Sequence, residues 1–276
     1  MSARSRMHNV TLADGVVIRE LATHEERAEA VRIQDETWGA GFTERVPAAI
    51  FLIAQKTDGI SAGAFSTGGR LLGFVFGITG IRDGRLIHWS DLLAVRADAR
   101  GRHLGEALKM YQREHCRALG IETMYWSFDP LVARNAHLNL NRLGARVDEF
   151  VPDMYGTNTS SPLHALGTDR FIAAWSVGAV PVPLSSTASL LAGAPVVAGG
   201  GSDGPDMREP LPDTRAVAVR IPNDYHALVE ADVERAQKWR SSTSRAFSHY
   251  LSRGYGVAAF VPDRTDDATY LLSRAG

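Results

Sequence analysis

The sequence has a single cysteine and no excess of charge of either sign. Cys116 alone excludes an internal disulfide and any zinc site built from several cysteines, and this usage is typical of a reducing cytoplasm. The 30 basic and 31 acidic residues give a formal net charge of −1, which disfavours a general nucleic-acid or membrane-surface binder. No apolar run reaches the ~18 residues that a membrane helix needs. We therefore expect a cytoplasmic protein with no metal, nucleic-acid or membrane partner.

Composition divides the 276 residues into four stretches. No apolar segment follows the arginines of the N-terminus, so it does not resemble a secretory signal, and residues 1–14 are expected to be a flexible leader. Residues 15–178 have the hydrophobic patterning of a folded domain. Residues 179–212 are rich in Gly, Pro, Ala and Ser and are predicted to be a linker. Residues 213–276 are expected to be an α/β extension that packs on the main domain or extends a sheet, which could take place across a homodimer.

Local patterns predict the order β-α-α-β-β-β-α-β-α-β-β through about residue 178. Thr23 and Glu26 form a capping box at the first helix, and Asp83-Gly84 is a strong hairpin signal. The helix from about His103 to Leu119 has a regular apolar side, and Lys109 is expected on another face. The strands predicted in the main domain are 16–21, 60–65, 71–78, 86–95, 121–128, 146–151 and 171–177. The extension is predicted to contain a strand (215–221), a helical stretch (224–253) and two short strands (257–261 and 269–272).

The stretch from Leu93 to Gly105 combines the end of an apolar strand, a Gly/Arg turn and the start of a helix. The first amides of a helix lack partners within it and the helix dipole is positive there, so a turn of this kind can bind phosphate. Gly101 allows the backbone to bend, and Arg96, Arg100 and Arg102 add positive charge. The alternative interpretation is an ordinary strand-to-helix turn with solvated arginines.

The run Arg100-Gly101-Arg102-His103-Leu104-Gly105 resembles the acyl-CoA pyrophosphate loop of the GNAT (GCN5-related N-acetyltransferase) superfamily, Gln/Arg-x-x-Gly-x-Gly/Ala. Arg100 and Gly105 match that pattern. His103 stands at the usual middle glycine, so its side chain must point away from the phosphate. The resemblance implies an α/β (α+β) fold whose mixed central sheet is splayed between its fourth and fifth strands, residues 86–95 and 121–128.

The same resemblance implies acyl-CoA as co-substrate and no metal. The main chain of Leu93 and Val95 would hold the pantetheine arm between the splayed strands. Asn135, near the start of the last helix of the domain, is a candidate contact to the arm or simply a polar residue at a helix start. The candidate cofactor-binding residues are Leu93, Val95, Arg100, Gly101, Arg102, His103, Leu104, Gly105 and Asn135.

Acyl transfer to an amine also needs a base. Asp91 and His88 lie on the strand that leads to Val95, on opposite faces by the two-residue period, and Asp91 is expected to share a face with Leu93 and Val95. Asp91 is a candidate base that could act through a water chain, or else a structural polar group at a strand end. His137 is a weaker alternative.

An acid to protonate the departing thiolate is harder to assign. In the family, a tyrosine lies four residues before the Leu-Gly step of the last helix, but here that position is Leu140. Tyr155 and Tyr125 are the other candidates, although a buried tyrosine is often only packing. A thiolate can also leave without a dedicated acid.

Several further runs resemble one branch of the superfamily, the long predicted acyltransferases with a C-terminal extension. Some members of that branch are N-succinyltransferases associated with N-succinylamino acid racemases. The resemblance implies a small, amino-acid-like amine as acceptor and acetyl-CoA or succinyl-CoA as donor, with Arg134 or Arg170 as candidates for a succinyl carboxylate. A non-catalytic acyl-CoA-binding module, acting as sensor or subunit, is the alternative. The runs are Trp126-Ser127-Phe128-Asp129-Pro130-Leu131, Asn135-Ala136, Leu143-Gly144-Ala145, Tyr155-Gly156 and Thr168-Asp169-Arg170-Phe171.

Overall fold

The computed structural model describes residues 8–156, 165–178, 193–199, 209–263 and 267–274. The chain divides into two compact units, residues 1–126 with 176–179, and residues 127–175 with 180–276. The division differs from the boundary that composition suggests after residue 178. In the described part of the chain, no helix has the length and apolar character needed to cross a membrane.

The first unit is built on six strands in the order β1-β2-β3-β4-β5-β6. Neighbouring strands are antiparallel, except that β5 and β6 are parallel. β1 falls inside the predicted leader, because Val10 and Thr11 pair with Ile18 and Val17. The strands are β1 (Val10–Thr11), β2 (Val17–Glu20), β3 (Ile60–Phe65), β4 (Leu71–Arg82), β5 (Arg85–Val95) and β6 (Thr123–Phe128), and the last two residues of β6 belong to the second unit.

Helices cover both faces of this sheet. The predicted capping box is confirmed, because the Thr23 side chain accepts from the Glu26 amide and the Glu26 carboxylate accepts from the Thr23 amide. Two apolar clusters result: the α3 cluster contains Leu104 and Leu108, and the cluster on the opposite face contains Phe51 of α2. The helices are α1 (His24–Trp38), α2 (Ala48–Lys56) and α3 (Leu104–Ala118).

The hairpin between β4 and β5 fixes the register of β5 against β4. Asp83 and Gly84 both adopt positive φ, 53° and 74°, as the predicted two-residue turn requires. Farther along, Gly77 pairs with Ser90 and Phe76 pairs with Leu92, so Asp91 is an extra residue that forms a β-bulge. Because a bulge shifts the alternation of side chains by one position, the residues before and after Asp91 change faces relative to a regular strand.

The second unit joins residues 127–175 to the C-terminal extension. β7 and β8 are antiparallel, and a second sheet has the order β11-β12-β10-β9. Tyr270 of β12 donates a hydrogen bond to the Pro130 carbonyl (2.8 Å), and Asn141 donates to the Phe260 carbonyl (3.0 Å), so the extension packs closely on the residues that follow β6. The strands are β7 (Arg146–Val151), β8 (Arg170–Ser176), β9 (Val196–Ala198), β10 (Ala216–Ile221), β11 (Tyr255–Val261) and β12 (Ala268–Arg274).

The helices of this unit differ from the prediction in two places. The predicted helical stretch 224–253 is two helices, because Asp232 ends the first and its side chain caps the second by accepting from the Arg235 amide. The helix after β6 becomes π-helical beyond Ala136. β9 lies within the predicted linker, of which residues 179–192 and 200–208 fall outside the described residues. The helices are α4 (Ala133–Ala136), continued by the π-helical segment His137–Arg142, α5 (Tyr225–Ala231) and α6 (Val233–Leu251).

Candidate active site

β5 and β6 are paired over a short distance and then separate. Their register comprises His88 with Met124 and Trp89 with Tyr125. Within the described part of the chain, β5 has no partner residue on this side from Ser90 to Val95. We call the space between this part of β5 and Trp126 the cleft, and the Trp89–Tyr125 pair its closed end. The splay between these two strands is the feature that the family resemblance predicts.

The backbone of β5 presents polar groups to the cleft. The Arg96 amide donates to the Leu72 carbonyl of β4 (2.9 Å). In an antiparallel pair, bonded and non-bonded positions alternate, so Val95 and Leu93, which oppose Gly73 and Val75, direct their N–H and C=O groups away from β4. These groups lie on the cleft side of β5, and they belong to the two residues predicted to hold a pantetheine arm.

Beyond Val95, the chain continues from β5 into the Arg100–Gly105 loop and the N-terminus of α3. Gly101 has a φ of +79° and His103 a φ of +57°, so two left-handed residues turn the chain into the helix. The first bond of the helix runs from the Ala107 amide to the His103 carbonyl, which leaves the amides of Leu104 and Gly105 without intrahelical acceptors. The His103 side chain is 75% exposed. This loop can bind an anion through its backbone.

The three arginines between the end of β5 and the start of α3 have different surroundings. Arg96 is paired with Glu29 and Glu36 of α1, so its charge is already neutralised. Arg102 is paired with Asp14 (2.5 Å), and both side chains are partly exposed. Arg100 is exposed and, among the described residues, has no carboxylate partner; its Nε lies 3.5 Å from the Val95 carbonyl oxygen. Arg100 and Arg102 therefore remain candidates for phosphate contacts, whereas Arg96 ties α1 to the sheet.

Asp91 was expected to share a face with Leu93 and Val95, but it is the extra residue of the β5 bulge. Those two residues pack in the α3 cluster, and the bulge at Asp91 breaks the two-residue period on which the expectation rested. Solvent reaches Asp91, yet the protein around its carboxyl withdraws it from bulk water and raises its pKa, against a hydrogen bond with the Trp89 side chain that lowers it. A carboxyl with a raised pKa at a bulge beside the cleft suits a general base.

His88 is held in the interior by a chain of hydrogen bonds. Gln112 Nε2 lies 2.8 Å from His88 Nε2, and His88 Nδ1 lies 3.2 Å from Thr79 Oγ1, whose hydroxyl donates to the Asp58 carbonyl. Thr79 therefore accepts from Nδ1–H, and Nε2 accepts from Gln112. Burial first, then His115 and Lys109, lower the pKa of His88 to about 3. A neutral imidazole with both nitrogens engaged is poorly suited to act as a base.

A glycine makes this arrangement possible. A Cβ at Gly77 would lie 2.4 Å from His88 Nε2 and 2.8 Å from Gln112 Nε2. Any side chain at position 77 would therefore displace the His88–Gln112 pair from the space between α3 and β4.

Lys109 lies beside the point where β5 and β6 separate, which the sequence did not predict. Although it was expected on a polar face of α3, it is buried, and its Nζ donates to Ser90 Oγ at 2.7 Å. The same Nζ lies 3.8 Å from the centre of the Trp126 ring. The available signal was its position next to Leu108, on the border of the apolar side of the helix, where a long side chain can still turn inward.

The other candidates lie in the second unit. Asn135 is half-buried on α4, and within the described part of the chain its side chain makes no hydrogen bond. Leu140, at the position where the family has a tyrosine, is fully buried. The Tyr155 hydroxyl lies 2.9 Å from Ser127 Oγ, and the residue is partly exposed.

The remaining alternatives from the sequence have local partners. Tyr125, in the first unit, lies beneath the Arg82 guanidinium at 5.0 Å. In the second unit, His137 Nδ1 is 3.3 Å from the Asn141 amide, Arg134 is 3.5 Å from His226, and Arg170 is 3.8 Å from Asp129. No group of three or more His, Cys, Asp or Glu side chains that could hold a metal ion occurs among the residues described.

Comparison with known proteins gives structural likenesses only. No protein-family model matches the sequence. No curated protein is significantly similar to it. Among solved structures, the chain is similar to the ribosomal-protein-S18-alanine N-acetyltransferase from Escherichia coli (18% identity, 60% of this chain and 96% of that one, TM-score 0.46).

Two other structures give similar values. One is yncA from Salmonella typhimurium with its cofactor acetyl-CoA (17% identity, 61% and 97% of the two chains, TM-score 0.47). The other is NAA60 from Arabidopsis thaliana in complex with a bisubstrate analogue (14% identity, 58% of this chain and 98% of that one, TM-score 0.47).

Proposed function

We propose that this protein is an acyl-CoA-dependent N-acyltransferase of the GNAT type. The observation that carries the proposal is that β5 and β6 stop pairing after Trp89 and Tyr125, while β5 continues toward the loop and the N-terminus of α3. Along this path the backbone groups of Leu93 and Val95 point away from β4, and the path ends at helix amides without intrahelical acceptors. An elongated ligand with a phosphate at one end and an amide-containing arm fits that sequence of groups.

Each part of the donor has a candidate partner. The amides of Gly101 to Gly105, with Arg100 and Arg102, would bind the pyrophosphate. Leu93 and Val95 would bond the arm through their main chain. Asn135 is proposed as a further contact to the arm.

The reaction that this arrangement suits is direct transfer. Acyl-CoA supplies a thioester, whose carbonyl carbon an amine attacks once the amine has lost a proton. We assign that proton to Asp91, because its raised pKa and its place at the bulge suit a base, whereas His88 is neutral and engaged at both nitrogens. As the C–N bond forms the C–S bond breaks, and CoA leaves as the thiolate. Tyr155 stays a candidate acid for that thiolate.

The finer specificity is also a proposal. The branch resemblance supports a small, amino-acid-like amine as acceptor and acetyl-CoA or succinyl-CoA as donor. The single cysteine supports a cytoplasmic location. A homodimer is proposed on the sequence argument that the extension could complete a sheet across two copies.

A second candidate is an acyl-CoA-binding module without turnover. The observation that favours it is Leu140, which is fully buried at the position of the family's tyrosine. Binding of CoA without turnover across a library of small amines would identify this alternative.

The test is isothermal titration with acetyl-CoA and succinyl-CoA. Arg100→Glu/Arg102→Glu should weaken both ligands by about tenfold or more, since charged contacts to phosphate are lost. Arg85→Glu/Arg117→Glu, with the same change of charge at two exposed arginines outside the loop, is the matched control and should bind normally. If the unaltered protein binds neither thioester, or if the control variant loses as much affinity as the loop variant, the proposal is wrong. The thioester that binds more tightly then selects the donor for the acceptor screen.

A further inference from the structure

The closed end of the cleft contains a buried ammonium group. Ser90 and Trp126 are the residues that directly follow the last paired residues of β5 and β6. Lys109 Nζ contacts both, at 2.7 Å from Ser90 Oγ and 3.8 Å from the Trp126 ring centre. The residue is only 5% exposed. Lys109 therefore bridges the two strands at the point where they separate.

The surroundings of this ammonium are neutral. Among the residues that the structure describes, no carboxylate oxygen lies within 4 Å of Nζ. The groups that face it are a hydroxyl and the neutral His88 from β5, an indole from β6, and the Cys116 thiol from α3, whose pKa burial raises. Burial of a charge without a counter-ion is costly, and here it lowers the pKa of Lys109 to about 7.

Arg240 shows how this protein compensates another buried cation. With a side chain as buried as that of Lys109, it makes two bonds to Asp129 (2.6 and 2.9 Å). The other two lysines in the sequence, Lys56 and Lys238, are exposed. Among the described residues, Lys109 is thus a lysine in the interior with no carboxylate beside it. This placement suggests that a bound ligand supplies the negative charge that would pair with Lys109.

The distance of Lys109 from the loop that would bind the phosphate indicates the class of ligand. From Val95, which precedes the Arg100–Gly105 loop, back to Ser90, β5 covers five residue steps, or roughly 17 Å at the rise of a β-strand. That length is comparable to an extended pantetheine arm. An acyl group carried on such an arm would therefore end near Ser90 and Trp126, next to Lys109.

We infer that Lys109 selects a donor whose acyl group ends in a carboxylate, the thioester of a dicarboxylic acid such as succinate. This inference rests on the proposed function and names its donor class. A carboxylate would give Nζ the charge-assisted partner that its neutral surroundings do not supply, whereas a neutral acyl group of the same length would leave the ammonium unpaired.

The experiment compares succinyl-CoA, butyryl-CoA and free CoA by isothermal titration. Succinyl and butyryl groups have the same number of carbons and differ in the terminal charge. For the unaltered protein we expect succinyl-CoA to bind about ten- to a hundredfold more tightly than butyryl-CoA. In Lys109→Met this preference should vanish, with the affinity for free CoA unchanged. Lys238→Met, an exposed lysine, is the matched control and should keep the preference.

A second readout needs no variant. Because a bound carboxylate favours the charged form of Lys109, succinyl-CoA should bind with uptake of a proton at pH 8. At that pH, Lys109 of the ligand-free protein is mostly a neutral amine. Titrations in buffers of different ionisation enthalpy measure this uptake. Butyryl-CoA should bind without it.

The outcomes separate this inference from the proposed function. If free CoA and both thioesters fail to bind, the acyltransferase proposal and this inference both fall. If CoA binds but succinyl-CoA and butyryl-CoA are equal, or succinyl-CoA takes up no proton, the donor inference alone is wrong. It is also wrong if Lys109→Met weakens all three ligands alike, since that result indicates a structural role.

Discussion

Asp129 and Arg240 form a bidentate ion pair between two segments 111 residues apart. Asp129 follows β6, Arg240 lies on α6, and the two bonds measure 2.6 and 2.9 Å. Burial by itself would raise the pKa of Asp129, but Arg240 and then Arg170 hold it below its usual value. Both partners are almost entirely buried, so the pair ties the C-terminal extension to the residues after β6.

Breaking this pair should destabilise the protein strongly. In Asp129→Asn, Arg240 remains buried without its bidentate carboxylate partner, and we expect the free energy of unfolding to fall by about 3–5 kcal/mol. Chemical denaturation measures the loss. Arg245→Met, which removes an exposed ion pair with Glu209 on the same helix as Arg240, should cost less than about 1 kcal/mol. Equal losses in the two variants would contradict the special role of the buried pair.

Lys109 should make stability depend on pH in a defined direction. Its pKa is about 7 in the folded protein and 10.5 in the unfolded chain, so between these values the unfolded state binds more protons and stability rises with pH. Lys109→Met should therefore be more stable than the unaltered protein at pH 6, and the difference should shrink as the pH is raised toward 10. Denaturation curves at pH 6, 8 and 9.5 measure it. The exposed control Lys238→Met should show a constant difference, and a constant difference for Lys109→Met would refute the assignment.

Two substitutions in the loop before α3, Gly101→Ala and His103→Gly, should change the stability of the protein in opposite directions. Gly101 has a φ of +79°, and a methyl group at this position would meet no other described residue within 4 Å, so Gly101→Ala should cost about 1 kcal/mol through conformation alone. His103 is left-handed without being glycine, so His103→Gly should stabilise the protein by a similar amount. Thermal melts of the two variants test this pair. Shifts of the same sign would show that the loop does not have this backbone conformation.

Asp91 should matter for turnover and not for donor binding. If it is the base, Asp91→Asn should lower kcat by about a hundredfold or more and leave the affinity for CoA unchanged. The pKa of Asp91 is raised, so kcat should fall as the pH drops through a value above the usual range of an aspartate, and this limb should disappear in the variant. Asp83→Asn, in the exposed hairpin turn, is the control. Normal turnover by Asp91→Asn would remove it from the mechanism.

Local chemistry explains the parts of the fold that sequence predicts well. The capping box of Thr23 and Glu26 and the turn of Asp83 and Gly84 depend on residues within three positions of each other, and both occur as expected. The split of the predicted helical stretch at Asp232 was missed because apolar periodicity continues across it. The turn from Arg100 to His103 was placed correctly between β5 and α3 because a strand, a glycine turn and a helix follow directly in the chain.

The amino-acid sequence by itself determined the order of the elements from β2 to β8 and the turn that precedes α3, because each depends on near neighbours. Only the tertiary structure decided the faces of β5, since the bulge at Asp91 depends on pairing with Gly77 and Phe76 of another strand. It also decided that Arg96 is neutralised by α1 and that Lys109 turns inward to Ser90. The physical reason is that burial and pairing of a charge depend on groups brought together from distant parts of the chain.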